Sequence, residues 1–442
     1  MTRAGSHRAA AGTLGIRMKI LVIGGGGREH ALCAAIRRSP RATEVVCAPG
    51  NGGMAQAARC VPVHQKDLGD LLRVVAEERP DLTVVGPERP LALGLVDEMQ
   101  RRGLKVFGPT RDAARLETSK AFAKRFMQRH SIPTANFAVC ASRAEAMAAL
   151  EMFRHPAVIK ADGLQAGKGV LICGTKDEAE QAVAGLFSGH LLGTAETSVV
   201  VEEHLTGEEI SFLVLSDGKH ATPLIPAQDH KRIGEGDTGP NTGGMGVYTA
   251  DTMLDARMSE WILEHVAQRA VNAMALEETP FIGVLYCGLM MTATGPMVLE
   301  FNARFGDPET QAILPRLESD LVEALEACVE GRLSDTEFRW KPGASACVVA
   351  ASEGYPGGYA LGRPISGLDE AARVPNVEIY HAGTSVEGGQ TLTAGGRVLG
   401  VTATGATLSE ALDSTYEAMG RISFEGMVYR RDIGWRAMGK KP

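Results

Sequence analysis

The residues best suited to chemistry lie in one short stretch, Glu300-Phe301-Asn302-Ala303-Arg304. Its apolar residues predict a strand, on which side chains two positions apart project to the same face. Glu300 and Asn302 would therefore aim two oxygen donors at one point, and hard oxygen ligands suit magnesium. Arg304 would follow at the strand end, where a guanidinium can hold phosphoryl or carboxylate oxygens in a bidentate manner. An exposed polar strand face is the alternative interpretation.

A second group of candidates lies in segment 159–170, where Lys160 ends an apolar strand and Lys168 lies in the glycine loop that follows. Lys168 is followed by Gly169 instead of Ser or Thr and opens no helix, so the segment is not a P-loop. A strand, a glycine loop and a second strand are typical of a flexible lid over a triphosphate. The two lysines support this interpretation, because a buried ammonium group requires an anion. A solvated hairpin is the alternative.

Four consecutive glycines, Gly24 to Gly27, separate an apolar strand from a helical segment that begins at Arg28. Backbone N–H groups in such a loop can surround a phosphate at the positive end of a helix. The dinucleotide fingerprint needs a sixth-position glycine, which is Glu29 here, so NAD is disfavoured. A tight turn without a ligand is the alternative.

A polar segment, 228–246, contains Gln228-Asp229-His230-Lys231-Arg232 near its start and a glycine-rich run at its end. We predict that it has no regular structure, and a long irregular segment inside a compact domain is usually functional. It is interpreted as a substrate loop, with an exposed surface loop as the alternative. His230 alone does not justify a general base.

Several domains must position these residues, because hydrophobic cores stop growing at roughly 250 to 300 residues and the chain has 442. Short strands that alternate with helices near the amino terminus favour a parallel sheet. A helix is predicted over 251–275, and paired strands over 281–291 and 297–302. The predicted divisions are a disordered extension at 1–17, then 18–119, 120–342 with a lid at about 139–208, and 343–442.

Composition excludes several classes of function. The net charge of −7 and pI near 5.9 leave no basic field for nucleic acid. No apolar run approaches the 18 or so residues of a membrane span, and the eight cysteines contain no CxxC pair, so we expect reduced thiols and a cytoplasmic protein. Residues 1–17 are basic and could be a transit-like leader, but without an apolar face a disordered extension is favoured.

Ten short strings from Met18 to about Met438 resemble, in content and order, the ATP-grasp superfamily and within it the phosphoribosylamine–glycine ligase family. They are GGREHAL, APGNGG, VGPE, SKAFAK, IKADGLQAGKGV, QDHKR, DTGPNTGGMG, EFNARFGDPETQ, HAGT and DIGWRA. The resemblance implies a multidomain α/β and α+β fold. It would comprise a preATP-grasp (Rossmann-like) N-terminal domain, an ATP-grasp central domain with a mobile lid, and a small strand-rich C-terminal domain.

The resemblance also implies an ATP cleft with Mg²⁺ or Mn²⁺ bound by Glu300 and Asn302. Segment Phe281–Met291 contains no carboxylate, so the number of metal ions stays open. Segment 200–205 would be the hinge strand, whose backbone would contact adenine, and Glu208 would contact the ribose. The implied nucleotide-binding residues are Lys120, Lys160, Gly167, Lys168, Gly169, Glu202, Glu203, His204, Leu205 and Glu208.

The implied reaction joins glycine to 5-phosphoribosylamine through glycyl phosphate, giving glycinamide ribonucleotide for purine biosynthesis. Lys160, Arg304 and Asp229 would be catalytic, with Asp229 on the glycine ammonium group. Substrate binding would further involve Gly26, Gly27, Asn51, Glu88, Lys231, Gly395, Gly396 and Arg397. Another ATP-grasp ligase or carboxylase, and a non-catalytic nucleotide sensor, are the alternatives. We expect a monomer without nucleic-acid or membrane partners.

Overall fold

A computed structural model describes residues 17–164 and 169–439. The predicted extension therefore lies outside the described residues except for Arg17, as do the lid residues Gly167 and Lys168. All eight cysteines are free thiols. No helix within the described ranges is both long and apolar enough to pass through a lipid bilayer.

The amino-terminal residues form the predicted parallel sheet flanked by helices. Its elements are β1 (Met18–Gly24), α1 (Gly27–Arg37), β2 (Ala42–Pro49), β3 (Arg59–Cys60), α2 (Leu68–Glu78), β4 (Leu82–Val85), α3 (Glu88–Ala92), α4 (Leu95–Arg101) and β5 (Val106–Phe107). The strand order is β3-β2-β1-β4-β5. The loops after β1, β2 and β4 therefore meet at one edge of the sheet, where such folds bind ligands. That edge carries the four glycines, Asn51 and Glu88.

A smaller antiparallel sheet follows in the region of the predicted lid. The elements are α5 (Arg115–Thr118), α6 (Lys120–Arg129), β6 (Phe137–Cys140), α7 (Arg143–Leu150), β7 (Ala157–Ala161), β8 (Val170–Cys173), α8 (Lys176–Ser188) and β9 (Val199–Glu203). Ser119 caps α6 by accepting a hydrogen bond from the Phe122 N–H. The strand order is β6-β9-β7-β8, and the sheet packs with α7 and α8 around its own apolar core.

A second antiparallel sheet forms the base of the central region, in the order β11-β10-β16-β17. The elements of this part are β10 (Glu208–Asp217), β11 (Ala221–Pro223), β12 (Gln228–Asp229), β13 (Arg232–Gly234), β14 (Thr238–Asn241), β15 (Gly246–Ala250), α9 (Ala256–Ile262), α10 (Gln268–Leu276), β16 (Ile282–Thr292) and β17 (Gly295–Asn302). The two predicted strands are thus present as β16 and β17.

The carboxyl-terminal part adds a third mixed unit. Its elements, with the two helices that precede it, are α11 (Glu309–Ile313), α12 (Leu321–Glu330), β18 (Ala344–Ser352), α13 (Leu368–Ala371), β19 (Val377–His381), β20 (Thr384–Glu387), β21 (Gln390–Thr393), β22 (Arg397–Gly405), α14 (Leu408–Met419) and β23 (Met427–Val428). Its main sheet has the order β12-β15-β18-β22-β19, with β23 on β18. Strands on both sides of the predicted boundary at 342/343 therefore share one sheet.

Two local predictions are corrected. The prediction that 228–246 lacks regular structure is wrong, because the segment contains β12, β13 and β14. The helix predicted over 251–275 begins only at α9, since Asp255 caps it by accepting from the Met258 N–H. A π-helical turn at Leu263–Ala267 then separates α9 from α10.

Candidate active site

Glu300 and Asn302 lie at the end of β17, opposite Gly288 and Tyr286 of β16. They are two residues apart on one strand and so project to the same face, as predicted. The register shifts between the pairs Glu300–Gly288 and Val298–Leu289, which leaves Leu299 in a β-bulge. The carbonyl oxygen of Leu299 accepts a hydrogen bond from Lys160 Nζ at 2.9 Å. The bulge thus joins β17 to Lys160 of β7.

Positive groups surround Glu300. Burial would raise the pKa of its carboxyl group, but the neighbouring cations hold it below the ordinary value. They are, in order of effect, Lys231, Lys160, Lys120 and Arg304. Lys231 Nζ also pairs with Glu209 Oε2 at 2.6 Å. Glu300 therefore lies among several cations, a charge distribution suited to a polyanion with a bound cation.

Arg304 is fixed by two carboxylates that precede the lid. Its NH2 group lies 2.9 Å from Glu117 Oε1, and its Nε lies 3.5 Å from Glu88 Oε2. Glu117 is almost fully buried, and its other oxygen accepts the Ala303 N–H at 2.7 Å. Burial raises the pKa of Glu117 despite the opposing effect of Arg304. Glu117 was not identified from the sequence, since no motif pairs it with Arg304.

Asp229 lies beside a buried carboxylate network. Glu309 Oε1 accepts hydrogen bonds from Ser211 Oγ and Tyr286 OH, both at 3.0 Å. Burial and then the Glu309 charge raise the pKa of Asp229 well above its ordinary value. Within the described residues, the buried Asp229 Oδ1 accepts no hydrogen bond. Two adjacent carboxylates with a free oxygen would be stabilised by a cationic ligand.

The glycine loop packs closely against the side chains of Asp307 and Gln311. A Cβ on Gly26 would lie 3.3 Å from Asp307 Oδ2, and one on Gly27 would lie 2.5 Å from Gln311 Nε2. Glu29 folds back beneath the loop, where its Oε2 accepts the Gly26 N–H at 2.6 Å. The loop therefore places the N-terminus of α1 against the segment that follows β17.

A cavity of about 380 Å³ opens at this junction. The glycine loop, the segment after β2 and two carboxyl-terminal turns line it, including Gly26, Arg28, Asn51, Asp307 and Thr384. Asn51 Nδ2 donates to the carbonyl oxygens of Gly25 and His381 at 3.0 and 2.7 Å. Its Oδ1 accepts the Gly53 N–H at 3.0 Å. Asn51 thus shapes the cavity wall through protein contacts.

Arg397 connects the carboxyl-terminal sheet to the same junction. Its NH2 group lies 3.1 Å from Asp307 Oδ2, and its NH1 donates to the Gly243 carbonyl oxygen at 2.5 Å. Gly395 approaches Gly383 so closely that a Cβ on Gly395 would lie 2.9 Å from the Gly383 Cα. The Gly396 carbonyl oxygen accepts the Ser352 N–H at 2.8 Å. The three predicted residues therefore lie together, with Arg397 turned toward Asp307.

Those predicted nucleotide-binding residues that the structure describes lie at the start of α6, in the hairpin of β7 and β8, and from the end of β9 to the start of β10. Lys120 Nζ donates to the Gly163 carbonyl oxygen at 3.0 Å, and the Gly169 carbonyl oxygen accepts the Ala161 N–H at 2.8 Å. His204 and Leu205 lie between β9 and β10, whereas Glu208 is exposed at the start of β10. The Glu203 side chain makes a contact within the protein instead, because it accepts a hydrogen bond from the Asn136 N–H at 2.9 Å. Its side chain is thus bound to the backbone before β6.

The donor set fits a magnesium-like ion. Glu300 and Asn302 provide hard oxygen donors on one strand face, and magnesium often takes only one or two protein carboxylates alongside phosphate and water. Within residues 17–164 and 169–439, no group of three or more His, Cys, Asp or Glu residues could enclose a metal by itself. An ion at this site would therefore require ligands from a bound substrate.

Two histidines join the first and last sheets beside the cavity. The His381 N–H donates to His30 Nδ1 at 2.8 Å. Burial, followed by the effect of His381, lowers the pKa of His30 to about 4. Since unfolded His30 titrates near 6.5, the unfolded chain binds more protons between these values, and stability should fall as pH decreases through that window.

We expect the His30→Gln variant to lose less thermal stability than the unmodified protein between pH 7 and pH 5. The loss of unfolding free energy between these pH values should be about 2 kcal/mol smaller in the variant, because each pH unit below the unfolded pKa contributes about 1.4 kcal/mol. The measurement is the unfolding midpoint at both pH values. Equal pH dependence in the two proteins would contradict a buried neutral His30.

Comparisons with known proteins cover nearly the whole chain. Family models described as the N domain, the ATP-grasp (A) domain and the C domain of phosphoribosylglycinamide synthetase match residues 18–117, 118–310 and 345–436. A phosphoribosylamine–glycine ligase of Xanthomonas axonopodis pv. citri is 48% identical over 428 residues, which are 96% of this chain and 99% of that protein. One from Vibrio cholerae is 45% identical over 427 residues, with the same coverage.

Solved structures give the same similarity. The crystal structure of a phosphoribosylamine–glycine ligase from Thermotoga maritima has a TM-score of 0.82 and 33% identity, and covers 94% of this chain and 100% of that one. A biotin carboxylase from Campylobacter jejuni has a TM-score of 0.73 at 14% identity, with 96% of each chain covered. The second similarity is one of fold alone.

Proposed function

The chain belongs to the phosphoribosylglycinamide synthetase family, and from this we propose that it ligates glycine to 5-phosphoribosylamine with ATP. The products are glycinamide ribonucleotide, ADP and phosphate, a step of purine biosynthesis. The observation that carries the proposal is the position of Glu300, Asn302 and Lys160 in one cleft, joined by the Leu299 carbonyl contact. The matches to relatives over 96% of the chain support it.

The proposed reaction has two steps. A carboxylate oxygen of glycine attacks the γ-phosphorus of ATP, which breaks the bond to the β-phosphate oxygen and gives glycyl phosphate. The amine of phosphoribosylamine then forms the C–N bond as phosphate leaves, and the amine proton is lost. Lys160 and Arg304 would orient the phosphoryl group and stabilise its developing charge.

Mg²⁺ or Mn²⁺ at Glu300 and Asn302 would neutralise phosphate charge and orient the nucleotide when bound. Lys120, with Gly167 to Gly169 of the lid, would contact the phosphates, and His204 and Leu205 would present backbone groups to adenine. Glu202 and Glu203 flank that hinge, and Glu208 would bind the ribose. The approximate 380 Å³ cavity would hold phosphoribosylamine, its phosphate facing Gly26 and Gly27.

Asp229 would bind the ammonium group of glycine, because its raised pKa and its free oxygen favour a cationic partner.

We expect Asp229→Asn to raise the KM for glycine about 10- to 100-fold, as losing a hydrogen bond to a charged group costs roughly 1.5 to 3 kcal/mol. The KM for ATP should change little. Steady-state kinetics would test this, with Asp413→Asn on the exposed face of α14 as control. An unchanged glycine KM would remove Asp229 from this role.

The direct test of the function is ADP formation with glycine and freshly generated phosphoribosylamine, each omitted in turn. Turnover that requires both substrates supports the proposal. Another ATP-grasp carboxylate–amine ligase or carboxylase is the second candidate, favoured only by the shared fold. ADP release that ignores both substrates would point to it.

A further inference from the structure

A second lysine, Lys124 of α6, is buried beside Lys160. Its side chain is 2% exposed, and it forms an ion pair with Glu202 of β9. Lys124 Nζ also donates to Thr134 Oγ1 at 2.8 Å. Thr134 Oγ1 in turn donates to the Val298 carbonyl oxygen at 2.6 Å. Lys124 is therefore held between the hinge strand and β17.

Glu202 pairs with both lysines at once. Lys160 forms an ion pair with it and reaches the Leu299 carbonyl oxygen. Lys124 thus reaches the Val298 carbonyl oxygen through Thr134, whereas Lys160 contacts the next carbonyl oxygen, that of Leu299, directly. The Glu202 carboxylate pairs with both lysines. Burial would raise the pKa of Glu202, but first Lys160 and then Lys124 keep it below the ordinary value. The cluster carries one excess positive charge.

We propose that Lys124 is a positioning residue that serves as the permanent counter-ion of Glu202 and thereby releases Lys160 to the phosphates of a nucleotide. A buried carboxylate without a partner is strongly unfavourable. If Lys160 left Glu202 in the absence of Lys124, the carboxylate would remain unpaired, so Glu202 would retain Lys160. Lys124 itself stays in place, because Thr134 and Glu202 occupy its ammonium group.

This inference rests on the proposed nucleotide site and deepens it. Its test is calorimetric binding of a non-hydrolysable ATP analogue with magnesium to the full chain, in the absence of glycine. The variants are Lys124→Met, Lys124→Arg, Glu202→Gln and the Lys124→Met/Glu202→Gln double variant, each compared with the unmodified protein. Lys176→Met is the control, because Lys176 pairs with the exposed Glu151 away from the cleft. Unfolding curves establish that each variant is folded.

We expect Lys124→Met to weaken binding of the analogue at least about tenfold, equivalent to 1.4 kcal/mol. The double variant should bind the analogue more tightly than Lys124→Met alone, because the carboxylate that retains Lys160 is gone. Lys124→Arg should bind as the unmodified protein does.

Two results would overturn the proposal: Lys124→Met binds the analogue normally, whether or not its thermal stability falls, or the double variant binds no better than the single one. In each case the unmodified protein still binds the analogue. If the unmodified protein binds none, the nucleotide site of the proposed function is wrong instead.

Discussion

Replacing Glu300 by alanine is expected to abolish turnover at ordinary magnesium concentrations while the protein remains folded. The variant removes the only carboxylate that β17 directs into the cleft and leaves Asn302 as the one neutral member of the proposed ligand pair. A hard divalent cation binds such a site weakly. The loss in kcat should be on the order of 10³-fold, the upper end of the roughly 10² to 10³ that a single charge-stabilising group contributes. The measurement is ADP formation as a function of magnesium concentration.

Stability should respond differently from activity. Lys231, Lys160, Lys120 and Arg304 surround Glu300, so its removal leaves several cations near one another, and a modest loss of stability is expected. Glu260→Ala on α9 is a matched control at an exposed glutamate. Near-normal turnover of the Glu300→Ala variant would remove this residue from the metal site. Partial recovery at high magnesium would support weakened cation binding.

Short-range patterns predicted where the candidate metal ligands lie on their strand. The alternation of Glu300 and Asn302 places both on one face of β17, because the side-chain period of a strand is two. The β-bulge at Leu299 carries no such signal, since it depends on pairing with β16. It is nevertheless this bulge that offers a carbonyl oxygen to Lys160. The pairing of β16 with β17 therefore creates the contact between Leu299 and Lys160, which residue spacing within β17 does not reveal.

Long-range pairing explains the incorrect prediction for 228–246. β12 pairs with β15, and β15 pairs with β18 nearly a hundred residues later in the chain. Glycines and polar residues dominate the segment, so local composition favours a loop. Lys124 could have been identified, because Lys120 and Lys124 are four residues apart and lie on one face of a helix. Its partner Glu202 lies on β9, distant in the sequence, and shares no motif with Lys124.

Replacing Arg304 by methionine is expected to reduce both activity and stability. Glu117 would lose its buried cationic partner, and breaking a buried ion pair in this way costs about 3 to 5 kcal/mol. Loss of the guanidinium should also lower kcat on the order of 10²- to 10³-fold, if it stabilises the transferred phosphoryl group. Thermal unfolding and ADP formation measure the two effects separately.

A double variant separates the two roles of Arg304. Arg304→Met with Glu117→Met removes both members of the buried pair, and well-packed apolar replacements of such pairs are often neutral or stabilising. Stability should therefore recover, although the Ala303 N–H loses its acceptor. Activity should stay low, because the guanidinium proposed to orient the phosphoryl group is still missing. If activity returned together with stability, Arg304 would act only by joining β17 to the segment before the lid. Arg304→Lys adds a graded case, since an ammonium group keeps the charge but cannot contact two carboxylates and a phosphoryl group in the planar geometry of a guanidinium.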